Sequence, residues 1–224
     1  MKRFAAVFFM LIMFSIGCCG YNSYITSNNP NAPVANNPNN PNNPPNPANP
    51  NNPNNPPNPA NENTVQVYIT FYGFNDNDNG SGKFSTNVIA YPKSGGNPTD
   101  HNVATEGTGT YQDPVTFATG INDIKSGVFP VGGIIYIPFL QKYFMLEDQC
   151  AGCDKDKQGQ QYHIDLYMGP SDHASDSKAL YDCEGKYTGV AGIIMKPPPN
   201  LSVDTTTMFQ NNQCTIVKHP VPPT

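Results

Sequence analysis

The chain has 224 residues, of which only 13% are charged, with 24 prolines, no tryptophan and a formal net charge of −5. Its single arginine is Arg3. It therefore lacks the basic patch that displaces counterions from phosphates, and a nucleic-acid partner is set aside. An acidic chain of this kind suits a neutral or cationic partner such as a polysaccharide.

Residues 1–20 have the outline of a secretory signal peptide. Lys2 and Arg3 form a charged start, and Phe4 to Ile16 form an apolar run that falls short of the about 20 residues a membrane span needs. Ser15, Gly17 and Gly20 offer a cleavage site. Cys18 and Cys19 offer a lipid anchor as the alternative, although Ser15 rather than an aliphatic residue stands three positions before Cys18. Cleavage would leave ten lysines against seventeen acids, a formal charge of −7. The protein is expected to be secreted, extracellular or cell-wall associated, with no membrane span. Residues 21–63 follow as a linker. From about Asn28 to Asn61 it is almost wholly Asn and Pro with a few Ala, and one eleven-residue unit occurs twice unchanged, at Asn39–Asn49 and Asn51–Asn61. Proline removes ladder donors and that stretch has too few apolar residues to build a core, so a disordered, extended spacer is expected.

Residues 64–217 are long enough for one domain with a core, leaving 218–224 as a tail. Strand signals dominate. Val65–Phe71, Pro114–Ala118, Gly133–Ile137, Lys142–Leu146, His163–Met168 and Gly192–Met195 are rich in β-branched and aromatic residues. One helix is expected, Ser175 to Cys183, capped by Ser175 or Asp176. Short strands with Gly- and Pro-rich connections predict a mainly β fold, a small barrel with one short helix. Cys150, Cys153, Cys183 and Cys214 are an even set in an exported chain and read as two disulfides, with three connectivities open. A four-cysteine zinc site is disfavoured because Cys183 and Cys214 form no close pair.

The candidate site lies on the strands. In His163-Ile164-Asp165-Leu166-Tyr167-Met168, alternation puts Ile164, Leu166 and Met168 on one face and His163, Asp165 and Tyr167 on the other. A mid-strand carboxylate faces water or a cleft, and partial desolvation would raise its pKa toward that of a general acid. Asp148 closes another apolar run, and Thr70 and Tyr72 share one face of the first strand. Tyr72, Tyr91 and Tyr136 are available to stack on sugar rings. Asn75-Asp76-Asn77-Asp78-Asn79-Gly80 begins like a calcium loop, but its twelfth position is Thr86 rather than a bidentate Glu, so a polar turn is expected. No metal or cofactor is expected.

Together these segments resemble the double-psi β-barrel superfamily of expansins, barwin-like proteins, rare-lipoprotein-A-type lytic transglycosylases and family forty-five endoglucanases. Thr70-Phe71-Tyr72-Gly73 looks like the expansin opening. Phe117-Ala118-Thr119 and Pro130-Val131-Gly132-Gly133 look like the next two strand motifs. Phe144 to Cys150 is similar to the strand ending Asp-x-Cys, and His163-Ile164-Asp165-Leu166 to the strand that precedes the helix. The resemblance implies a six-stranded double-psi barrel acting as a monomer on peptidoglycan, chitin or β-glucan. It implies Asp165 as general acid and Asp148 as its partner, with Thr70 and Tyr72 lining the cleft; His163, as a hydrogen-bond partner, and Tyr136, as a stacking ring, are added from the residues themselves as substrate-binding candidates. In the endoglucanases the first strand carries the base, and here that place holds Thr-Phe-Tyr-Gly. A non-catalytic, expansin-like or barwin-like binding role is the alternative.

Overall fold

The computed structural model describes residues 64–221, so the expected leader (1–20) and the Asn/Pro linker (21–63) lie outside the described residues. The fold is mainly β. Six strands carry it: β1 (Thr64–Tyr72), β2 (Val115–Thr119), β3 (Ile134–Ile137), β4 (Lys142–Gln149), β5 (His163–Tyr167) and β6 (Gly189–Met195). They close into a barrel in the order β1-β5-β2-β4-β3-β6, with β6 returning to β1. Closure leaves the barrel itself without an edge strand. The β1–β5 and β2–β4 pairs run parallel and the other four antiparallel.

Alternation along each strand fills the barrel. Val67, Ile69, Phe71, Phe117, Ile135, Phe144, Leu146, Ile164, Leu166 and Ile193 form one buried interior cluster. The outward residues on one side of the barrel are also covered. Tyr72, Ala118 and Tyr167 pack with Ile89 and Ala104 from the long β1–β2 connection. On the opposite side Tyr136 and Tyr143 pack with Ile194 and Leu201. This second cluster, which covers the outer faces of Tyr136 and Tyr143, explains why β3 and β4 read as continuous apolar runs rather than alternating ones.

Helix α2 (Ser177–Tyr187) is capped by Asp176, whose side chain accepts a hydrogen bond from the Ala179 N–H. It starts two residues later and ends four later than the expected span. Leu180 and Cys183 turn into the core. Gly73 is where α2 and the β5 exit approach β1, since a Cβ there would lie 2.4 Å from the Gly169 carbonyl oxygen and 2.9 Å from Leu180. Two elements were not anticipated: the short helix α1 (Ile121–Lys125) and the hairpin of β7 (Phe209–Gln210) and β8 (Gln213–Cys214). The hairpin turns through Asn211 and Asn212, both at positive φ, the conformation of a two-residue primed turn.

The disulfides join Cys150 to Cys153 and Cys183 to Cys214. The second ties α2 to the β7–β8 hairpin. The folded unit also runs past 217: His219 donates its N–H to the Phe139 carbonyl and pairs with Asp204 at 2.8 Å. Its ring and backbone are thus fixed where a free tail was expected. Among the described residues no helix is long and apolar enough to cross a membrane.

Candidate functional site: a carboxylate cleft on the barrel wall

Barrel registration places Thr70, Asp165, Ala118 and Asp148 in one row across β1, β5, β2 and β4. The small Ala118 separates the two carboxylates, whose backbones stand two strand spacings apart, about 10 Å. The row would fail without one irregularity. Phe117 pairs with Leu146 but Ala118 pairs with Asp148, so Glu147 is an extra residue on β4. This bulge lets consecutive acids both face outward, where strict alternation would drive Asp148 into the core.

The extra residue is itself locked. Glu147 is 0% exposed. One of its oxygens accepts the Asp100 and His101 backbone N–H groups (3.2 and 3.0 Å), and the other meets His101 Nδ1 at 2.8 Å and the Thr116 hydroxyl at 2.7 Å. A carboxylate taken out of water needs such a full set of partners. The Glu147 hydrogen bond, ahead of the opposing effect of burial, raises the His101 pKa above its ordinary value.

Asp165 and Asp148 line one cleft of about 650 Å³ with Tyr72, Asp76 and Asp78. The Thr70 hydroxyl donates to Asp165 Oδ1 at 2.7 Å and lies 2.9 Å from His163 Nε2. A hydroxyl has one proton, so with Thr70 donating to Asp165 the His163 Nε2 must be the donor to Thr70. Burial lowers the His163 pKa, in keeping with a neutral ring whose Nδ1 has no partner. Thr70 thus engages Oδ1, and a proton on Asp165 belongs on Oδ2. Asp165 keeps a partly open surface at the cleft although protein encloses it elsewhere. That desolvation raises its pKa to about 7 against the lowering effect of Thr70.

Asp148 is 7% exposed. Its Oδ1 accepts the Ala90 N–H at 2.9 Å and the Gln149 N–H at 2.8 Å, and its Oδ2 accepts the Tyr72 hydroxyl at 3.2 Å. Burial raises its pKa to about 6, held down by those three donors. Burial raises both acids, and Asp148, with three donors against the single Thr70 donor of Asp165, is the one whose ionised form is better supported.

Three acids in or near the site were not singled out as site residues from sequence: Asp76 and Asp78 in the cleft lining, and Glu184 on α2. Asp76 accepts the Gly73 N–H at 2.8 Å and lines the cleft, its pKa raised by burial. The signal for it was its place four residues beyond Tyr72, on the loop leaving the cleft end of β1. Glu184, on α2, is 8% exposed with Oε1 unpartnered. Burial, followed by the charges of Asp76 and Asp165, raises its pKa to about 9, so it is neutral at physiological pH. The 75–80 loop is the polar turn expected, although Asn75 is buried and bridges to Ala174 and Ser177.

Tyr136 does not belong to the site. It points away from the barrel interior but is 0% exposed beneath the Leu201 segment, and its hydroxyl donates to the Ser202 carbonyl at 2.7 Å. It cannot stack on a ligand. Tyr91 remains partly exposed beside the cleft, its backbone N–H on the Glu147 carbonyl and its pKa raised by burial and by Asp148. Cys150 and the disulfide turn form part of the cleft wall. Among the described residues no cluster of His, Cys, Asp or Glu has the arrangement to hold a metal ion.

Residues 64–215 match the family described as DDB_G0273701 N-terminal domain. The chain belongs to that family. Its match begins at the first residue of β1 and ends in the residue after β8, so it coincides with the barrel and its hairpin. A relative from Dictyostelium discoideum, "Uncharacterized protein DDB_G0273701/DDB_G0273221", is 32% identical over 162 residues. The alignment covers 71% of this chain and 63% of the relative, so the chain spans under two thirds of that protein. No solved structure matches.

Proposed function

We propose that the barrel is a secreted, monomeric double-psi domain that cleaves cell-wall polysaccharide. Asp165 is its general acid and Asp148 the base that activates water. The observation that carries this reading is the Thr70–Asp165–Ala118–Asp148 row, which presents two carboxylates of split proton affinity to one cleft. The closed six-stranded barrel with two parallel pairs, and the motif order of its strands, support the double-psi assignment.

Glycosidic cleavage needs a proton delivered to the leaving oxygen and a nucleophile on the opposite face of the sugar. Asp165 Oδ2–H faces the cleft and supplies the proton. Asp148 accepts a proton from water across Ala118. A backbone separation of about 10 Å suits the wide carboxyl spacing of inverting enzymes, about 6.5–9.5 Å, better than the about 5–5.5 Å of retaining ones. The absence of a carboxylate at Thr70 and Tyr72, where the resembling endoglucanases carry their base, favours the second reading, a wall-loosening module that binds without cleaving.

The two readings separate on Asp165→Asn. Retention on insoluble chitin, cellulose and peptidoglycan is expected to be preserved, while release of soluble fragments falls by about 10²–10⁴-fold. Wild-type binding with no fragment from any glycan would leave only the wall-loosening role.

A further inference from the structure

We propose that the cleft takes an amino-glycan, a chain bearing free hexosamine ammonium groups, in preference to neutral or acidic polysaccharides. This inference rests on the glycan-cleaving reading above and names the substrate class of that same site.

The lining carries four carboxylates, Asp76, Asp78, Asp148 and Asp165, and no Lys, Arg or His. None of the four takes part in a salt bridge among the described residues. Hydrolysis uses two acids, so Asp76 and Asp78 exceed what the chemistry needs. Neither is consumed by the fold. Each gives one oxygen to a local turn, Asp76 Oδ1 to the Gly73 N–H and Asp78 Oδ1 to the Gly80 N–H, and among the described residues keeps Oδ2 without a protein donor.

The charges of Asp76, Asp78 and Asp148 are close enough to raise the proton affinities of Asp148 and Asp165, and an opposite charge within a few ångströms relieves that repulsion. An ammonium group offers three donors, and Asp76 and Asp78 each present an Oδ2 that can accept one. A uronate, sulfate or phosphate would add to the repulsion, so acidic glycans are rejected by the same charges. A metal ion is the other cation to consider, and among the described residues no group of His, Cys, Asp or Glu is placed to hold one. The shortage of aromatic side chains agrees: Tyr72 is the one aromatic ring in the lining. A neutral glucan chain would have little surface to stack on.

The test is calorimetric binding of glucosamine hexamer, N-acetylglucosamine hexamer, cellohexaose and an oligogalacturonate to the Asp165→Asn full-length protein at low salt. The glucosamine hexamer is expected to bind about tenfold or more tightly than either neutral hexamer. Oligogalacturonate is expected not to bind. In the background of the Asp76→Asn, Asp78→Asn pair the preference should shrink to about threefold or less, and 0.5 M salt should shrink it in the parent. Asparagine keeps the Oδ1 acceptors of both turns, so a matching melting temperature certifies the fold. Neutral hexamers that bind as tightly as the glucosamine hexamer would overturn the amino-glycan inference and leave glycan cleavage standing. Hexalysine, titrated alongside under the same conditions, binding as tightly as the glucosamine hexamer would overturn it in favour of a basic peptide partner. Failure of every oligosaccharide to bind would overturn both.

Discussion

At the scale of single residues, the cleft works through small differences between two aspartates. Asp165 has one strong donor, Thr70, while Asp148 has three, and that difference sets the order of their proton affinities, about 7 and about 6. A bell-shaped profile of kcat/KM is therefore expected, with apparent limbs near pH 6 and pH 7 that belong to the coupled pair. Thr70→Val removes the hydrogen bond that lowers the Asp165 pKa, so the alkaline limb should move to higher pH, which the same profile measures. An unmoved limb would show that Thr70 does not tune the acid. Ala118 is the spacer. Ala118→Leu should cut turnover by about 100-fold or more by filling the gap between the acids, at a stability cost of about 1–3 kcal/mol from overpacking. Denaturant unfolding run beside the assay separates the two effects. Tyr136→Phe, by contrast, should leave turnover unchanged, because its hydroxyl serves only the Ser202 carbonyl.

At the scale of elements, the strands were legible because β-branched and aromatic residues cluster between Gly- and Pro-rich connections, and all six fall within a few residues of the expected spans. Asp165 was legible too: in β5 the alternation is clean, with Ile164 and Leu166 inside. Asp148 was legible only as a strand-end acid. Its outward aim depends on the bulge at Glu147, which pairing creates and no local pattern announces. Tyr136 misled for the opposite reason. Both faces of β3 are covered, and the segment that covers the outer one, around Leu201, is distant in sequence. The bulge is held by His101, which no strand signal marks. His101→Ala strips a partner from buried Glu147 and is expected to destabilise the barrel by about 3–5 kcal/mol, measured by chemical denaturation. A loss under 1 kcal/mol would mean that the bulge is fixed by β2–β4 pairing alone.

At the scale of the whole molecule, the buried acids make stability depend on pH in an unusual direction. Burial raises Asp148 to about 6, Asp165 and Glu106 to about 7 and Glu184 to about 9, all above the ordinary carboxylate range. A raised folded-state pKa means that the native protein holds protons the unfolded chain has released. Their stabilisation is complete below about pH 4 and is lost as pH rises through the folded values. His101, also raised, acts in the same direction, while His163, lowered by burial, opposes them as pH falls below about 6.5 and offsets one of the raised groups. Asp204, whose burial is outweighed by hydrogen bonds to Thr206 and His219 that lower it to about 2, opposes them only as pH falls below about 4. Melting temperature should therefore be higher at pH 5 than at pH 8, by about 5 °C or more, the shift that ~2 kcal/mol makes in a domain of this size. The central claim, that Asp165 and Asp148 together cleave a glycan with water, is met most directly by time-resolved proton NMR. The substrates are β-linked hexasaccharides of glucose, N-acetylglucosamine and glucosamine. Fragments whose new reducing end appears first as the α anomer, and their absence with Asp165→Asn, are the predicted result. A β anomer first, or no fragment from any of the three, would contradict it.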